Sequence, residues 1–240
     1  MRKINNFRTL GFLFVCIFFA TSCEKTETET DLPNEDSKEE GFYSKTGNND
    51  SEIESPSEFL TPLLHRRYDA SFSKEEAQAL FRSEVVKFKK ENGHTNRTAS
   101  YIYFDVDTRT SNYAHSQTDA NVWARVNFLT DKGPKNLPWF RLNKTGDDRQ
   151  NGAWDFYHFG THVSSINWLE AKSATVALQG TDGWHVRYFD IRVYGYKQYS
   201  SATGNSRVLS NPETWLDNNT SSGWDYYSTG YVGTGRTTFD

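Results

Sequence analysis

The stretch "HSQTDANVWARVNF", His115 to Phe128, decides the fold. Its first half is polar, from Ser116 to Asp119. Apolar side chains then fall on every second position, at Val122, Ala124, Val126 and Phe128. A period of two marks a strand that buries one face. The Thr118-Asp119 pair where the strand begins poses a chemical question, because an aspartate there can tie down the backbone, hold a metal or move a proton.

Similar stretches lie on both sides. "YIYFDVDT", "ATVALQG" and "WHVRYFDIRVYGY" are aromatic-rich or β-branched, and "TDKGPKN", "KTGDDRQNG" and "QGTDG" separate them as loops. Short strands with turn signals between them predict an all-β, antiparallel β-sandwich over residues 99–218, long enough for one core. In "WHVRYFDIRVYGY" one alternating set (Trp184, Val186, Tyr188) and the other (Phe189, Ile191, Val193) are both largely apolar. That predicts a strand covered on both faces in places. No internal repeat at a solenoid period is present.

One convincing helix precedes the strands, "FSKEEAQALFRSEVVKFKKENG", within a helical segment over 59–98. Ser73 and Glu76 form a capping box, and Asn92-Gly93 is a stop signal. Ala77, Leu80, Phe81, Val85 and Phe88 share one stripe, so the helix is expected to dock on the sandwich or on a partner.

The amino terminus reads Arg2, Lys3 and Arg8, then "LGFLFVCIFFA", then Ala20-Thr21-Ser22-Cys23. Basic, apolar and small-residue regions in this order predict a secretory signal over 1–22, too short to span a bilayer. The only cysteines are Cys16 and Cys23, and Cys16 leaves with the signal. A lone thiol at the cut cannot form an internal disulfide, so Cys23 is expected to carry an acyl anchor. The four residues resemble a bacterial lipobox. From Glu24 to Glu58 there are 12 acids and three lysines, which leaves 19 acids and 21 bases for the body beyond it. Low hydropathy with one sign of charge predicts a disordered acidic tether over 23–58. Acids directly after the lipidated cysteine resemble the surface-export signal of lipoproteins in Bacteroidetes-type bacteria; a plain solvated spacer is the other reading. Residues 219–240 form a C-terminal extension.

Several chemistries lack their residues. No G-x-S-x-G elbow, phosphate-cradling glycine loop or zinc-protease helix occurs, and the body has no cysteine nucleophile. His158 and His162 in "HFGTH" have a metal spacing only on a helix, which Phe159 and Gly160 disfavour. A near-neutral body lacks the basic face that nucleic-acid binding needs. Carboxylates are the better lead. "NKTGDDRQNGAWD" places Asn143, Asp147, Asp148 and Asp155 around two glycines. Such loops supply the oxygen ligands calcium wants, and they are also ordinary turn formers. Trp139, Phe140, Trp154 and Tyr157 lie in or beside the loops, where they could rest on a lipid headgroup layer or a sugar face; core packing is the alternative.

The order "TDANVWARVNF", "LNKTGDDRQNGAWDFY", "GTDGWHVRYFDIRVYG" resembles the PLAT domain, the lipoxygenase-homology β-sandwich. "NPETWLDNN" resembles the Trp-Leu that often closes it. The departure is Gln117, where the family usually has glycine. The resemblance implies a binding module that brings its protein to lipid, or to another protein. In calcium-using members the Thr-Asp pair shares an ion with an Asx-Asp pair of the second loop. Carried over, these are Thr118 and Asp119 with Asp147 and Asp148, and a neighbouring site would use Asn143, Gly146 and Asp148. His115 and Gln117 stand where a further site needs an acid and a glycine, so that site is expected to be lost.

The sequence therefore supports an outer-membrane, surface-exposed lipoprotein that is not an enzyme. Its sandwich is expected to bind lipid, glycan or protein, with calcium as the cofactor. Two alternatives stay open: a metal-assisted hydrolase using Asp147, Asp148 and Asp155 with His158, and a structural accessory subunit.

Overall fold

The computed structural model describes residues 56–92, 101–142, 149–163, 166–195, 204–217 and 223–239. The signal, Cys23 and the tether up to residue 55 lie outside them, as do Asn143, Gly146, Asp147 and Asp148.

Two sheets face each other. In chain order the elements are β1 (Phe59–Leu60), β2 (Leu64–Tyr68), α1 (Lys74–Glu91), β3 (Tyr101–Thr110), β4 (Asn121–Thr130), β5 (Gly133–Asn136), β6 (Trp139–Arg141) and β7 (Trp154–His162). They continue with β8 (Trp168–Gln179), β9 (Trp184–Gly195), β10 (Ser206–Ser210), β11 (Thr214–Leu216), β12 (Trp224–Ser228) and β13 (Thr237–Thr238). The first sheet runs β1-β6-β4-β8-β12, with β5 beside β4 and β13 beside β8; the second runs β10-β9-β3-β7-β2, with β11 beside β9. Every pairing is antiparallel except β1 with β6. The expected all-β sandwich is present.

The inner faces follow the alternation of β4. Val122, Ala124, Val126 and Phe128 are buried against Phe104, Val106, Phe159 and Ile191 of the opposite sheet. In β9 the two apolar sets are reconciled by a slip of register: Arg109 pairs with Tyr188 but Thr110 pairs with Val186. The extra residue, Arg187, lets Trp184 and Val186 face inward together with Phe189, Ile191 and Val193, and turns Tyr188 outward.

The helix covers the outer face of the second sheet. Ser73 caps it, accepting from the Glu76 N–H while the Glu76 carboxylate accepts from the Ser73 N–H, and Asn92 closes it on the Phe88 carbonyl. Ala77, Phe81 and Val85 are buried against Leu64, Trp154, Phe156 and Tyr188. Leu80, expected on the docking stripe, is 44% exposed, and Lys89 is buried in the last turn instead. Its ammonium lies 3.3 Å above the Tyr103 ring, so a cation over a π face does what an apolar side chain was expected to do.

The sandwich also reaches beyond 99–218. Residues 59–68 supply β1 and β2, and the expected C-terminal extension supplies β12 and β13, both paired with β8. The close approach there needs glycine: a Cβ on Gly233 would stand 1.8 Å from the Ala171 carbonyl oxygen.

Candidate functional site

The loop end of the sandwich is built around Thr118 and Asp119. The buried Thr118 hydroxyl donates to the Asp182 carbonyl (2.8 Å) and accepts from the Ala120 N–H (3.1 Å). The Asp119 N–H donates to the Asp182 carboxylate (2.7 Å). Both carboxylates stand at the surface. Arg149, with φ of 56° and 1% exposure, ties in the second loop: its guanidinium donates to the carbonyls of Leu142 (3.2 Å) and Ala120 (3.3 Å). The Leu142 N–H donates in turn to the Val122 carbonyl (2.8 Å). Leu142 and Arg149 therefore both stand beside the start of β4. Asp182, in "QGTDG", was not among the expected site residues. It lies far from Asp119 in sequence, and only tertiary folding brings them together.

Beside this end stand aromatic side chains. Tyr113 (57% exposed) and Trp215 (40% exposed) flank the His185 ring edge-on at 4.9 and 5.0 Å. The His185 Nδ1 lies 2.6 Å from the Ser111 hydroxyl, and burial lowers its pKa.

Asp155 and His158 do not converge. Both are buried on β7 but point to opposite faces of it. Asp155 accepts from the Arg149 N–H (3.0 Å) and pairs with His65 (2.8 Å), whereas the His158 Nδ1 meets Asp105 (2.8 Å) beneath the helix. Burial pushes the His158 pKa down, against the pull of Asp105. Among the described residues no three His, Cys, Asp or Glu side chains are grouped as metal ligands.

The expected ligand-facing aromatics separate in the same way. Phe140 and Tyr157 are fully buried inside the sandwich, and Trp154 is buried under the helix with Arg109 4.7 Å from its ring. Those three pack the core and present no face to a ligand. Trp139 alone reaches the surface, next to buried Phe140 on a strand whose residues alternate.

Trp139 belongs to a larger surface, the outer face of the first sheet. At the level of Asn121 the cross-strand neighbours are Gln179 and Trp224; at Trp123 they are Arg141, Ala177 and Tyr226. At Arg125 they are Thr175 and Ser228, with Trp139 and Phe59 paired alongside. The Arg125 guanidinium lies 4.9 Å from the Trp139 ring centre, and that of Arg141 5.6 Å from Trp123. Trp224 and Tyr226 are stacked at 6°. None of these positions carries a carboxylate. The sequence hid this face because Trp123 falls on the nominally polar side of β4, and Trp224 and Tyr226 fall in the expected extension.

No protein-family model matches the chain, and no curated protein matches it. Solved structures show a partial likeness. A coral 8R-lipoxygenase, described with calcium activation through a C2-like domain, is 16% identical with a TM-score of 0.35 over 54% of this chain and 17% of its own. The alpha-toxin of Clostridium perfringens is 12% identical, TM-score 0.36, over 66% and 43%. The alpha toxin of Clostridium absonum is 18% identical, TM-score 0.34, over 60% and 36%. The chain thus spans less than half the length of each.

Proposed function

We propose that this chain is a lipid-anchored protein of the bacterial outer membrane, held by Cys23 at the cell surface, whose sandwich is a binding module rather than an enzyme. Its ligand is a lipid, glycan or protein surface, and calcium at the loop end assists. The observation that carries this reading is the bracket at Ala120–Val122, where Leu142 and Arg149 are both held beside Asp119 and Asp182. Oxygen donors from two exposed carboxylates suit a hard cation such as calcium, and Asp147, Asp148, Asn143 and Gly146 would complete the set. The ion would neutralise crowded carboxylates and give the loop end a charge that can meet an anionic group. Tyr113 and Trp215 project beside it, amphipathic rings suited to the boundary of a headgroup layer.

Melting the full chain in calcium and in chelator tests the ion. At calcium a hundredfold above Kd, stability should rise by about 2.7 kcal/mol, and Asp148→Asn should remove most of that response. Identical wild-type melts in both buffers contradict it. The anchor has its own test. Cys23→Ser should move the protein from the detergent phase to the aqueous phase on partitioning, and a wild type already in the aqueous phase contradicts it.

A further inference from the structure

The outer face of the first sheet has no cover among the described residues, yet its composition is not that of a solvated sheet face. Trp123 and Trp224 are 3% and 2% exposed, their rings tilted at 39° to each other, while Trp139, Tyr226, Arg125 and Arg141 are half-exposed. Among the described residues, the Tyr226 hydroxyl and the Nε atoms of Arg125 and Arg141 are shielded from solvent and meet no hydrogen-bond partner. Burial pushes the Tyr226 hydroxyl up to about 12, although Arg125 draws it down. The Arg141 guanidinium donates through Nη2 to the Asn121 amide oxygen (2.5 Å).

We infer that this face, centred on Arg125, Trp139 and Tyr226, is a binding site for an acidic polysaccharide, a chain of sugar rings bearing carboxylates. Charge selects the ligand first: Arg125 and Arg141 stand among aromatic rings with no carboxylate beside them, so the ligand supplies the anion. Shape selects it next. The half-exposed rings of Trp139 and Tyr226 offer apolar surface beside the Arg125 guanidinium, and the Gln179 amide accepts from the Trp123 indole N–H (3.1 Å). A sugar ring presents an apolar CH face and a rim of hydroxyls to match. Phe59 at the β1 edge is 39% exposed, but the two central tryptophans are recessed, so cations and half-exposed rings rather than an apolar wedge dominate the face. The inference rests on the binding-module reading but not on the calcium site.

The test is affinity electrophoresis of the detergent-solubilised full chain through gels containing alginate, with dextran, polyglutamate and monomeric dihexanoylphosphatidylglycerol as comparisons. Dextran has sugar faces without charge, polyglutamate has charge without sugar faces, and the short lipid has an anionic headgroup. Alginate alone should retard the protein. Arg125→Gln and Trp139→Ala should each weaken retardation at least tenfold, Tyr226→Phe by a smaller factor, and Lys87→Gln, exposed on the helix over the other sheet, should leave it unchanged. The half-exposed Arg125 makes its glutamine variant the safeguard should Trp139→Ala not fold. Passage through alginate without retardation overturns the inference. So does equal retardation by dextran, polyglutamate or the lipid, or a wild-type result for Arg125→Gln. A chain that ignores alginate but still melts higher in calcium loses this inference and keeps the module reading.

Discussion

The two sheets carry the same kinds of residue on their outer faces and use them in opposite ways. Under the helix, charges are matched inside the protein. Asp190, fully buried, accepts from Arg207 at 2.7 Å through both Nε and Nη2 and from the Tyr188 hydroxyl at 3.1 Å; Asp107 accepts from Arg192 (2.5 Å) and from Gln78 of the helix (2.8 Å). On the first sheet, Arg125 and Arg141 lie over tryptophans and no acid answers them. A buried charge must be paired to be tolerated, whereas a half-exposed one can wait for a ligand. Aromatic and cationic side chains on a sheet face are thus not a functional signal by themselves. The balance of acid against base beside them separates scaffold from site.

That contrast can be broken from the scaffold side first. Asp190→Ala takes the carboxylate from Arg207, whose side chain is 31% exposed, and should cost about 1–3 kcal/mol in chemical denaturation; a loss below about 0.5 kcal/mol would mean the network is not structural. A pH effect follows. Burial, with Asp190 and Asp105 adding and Arg192 opposing, pushes the Asp107 carboxyl up to about 7. An acid raised above its unfolded value of about 3.9 binds its proton more tightly when folded, so this stabilisation is full below that value and fades as pH rises through about 7. His158, lowered by burial, works in the opposite sense, so the variant comparison isolates Asp107. Between pH 5 and 8 the wild type should lose about 1–3 kcal/mol relative to Asp107→Asn. A constant difference would show that Asp107 stays ionised throughout. Ser73→Ala removes the helix cap and should cost about 1 kcal/mol, read as earlier hydrogen exchange in α1 than in β3. On the open face, Arg125→Ala should stay within about 0.5 kcal/mol of the wild type, because the side chain is half-exposed and its contact is a ring rather than a carboxylate.

Much of this architecture was legible because its causes are local. The alternation of Val122, Ala124, Val126 and Phe128 sets the buried face of β4, and Ser73 with Glu76 sets the start of α1. The rest depends on tertiary neighbours. Hydropathy favoured Leu80 over Lys89 for the docking stripe, since nothing in the helix sequence announces that the Tyr103 ring lies opposite. Trp154 and Tyr157 flank loops in the sequence yet are roofed by α1 and by the opposite sheet. Of the candidate site, Thr118 and Asp119 could be picked out at their strand start, but Asp182 needed the fold to reach them. The Arg125 surface was the least legible, because its residues come from β1, β4, β6, β8 and β12, and no window of sequence contains it.

Arginine labelling of the native protein with phenylglyoxal, read site by site by mass spectrometry, tests the difference between the two faces most directly. Arg125 and Arg141 should react rapidly, while Arg192, paired with Asp107 and Asp190, should react only as fast as the protein unfolds. Labelling of Arg192 at the rate of Arg125 in the folded protein would contradict the division between a sealed face and an open one.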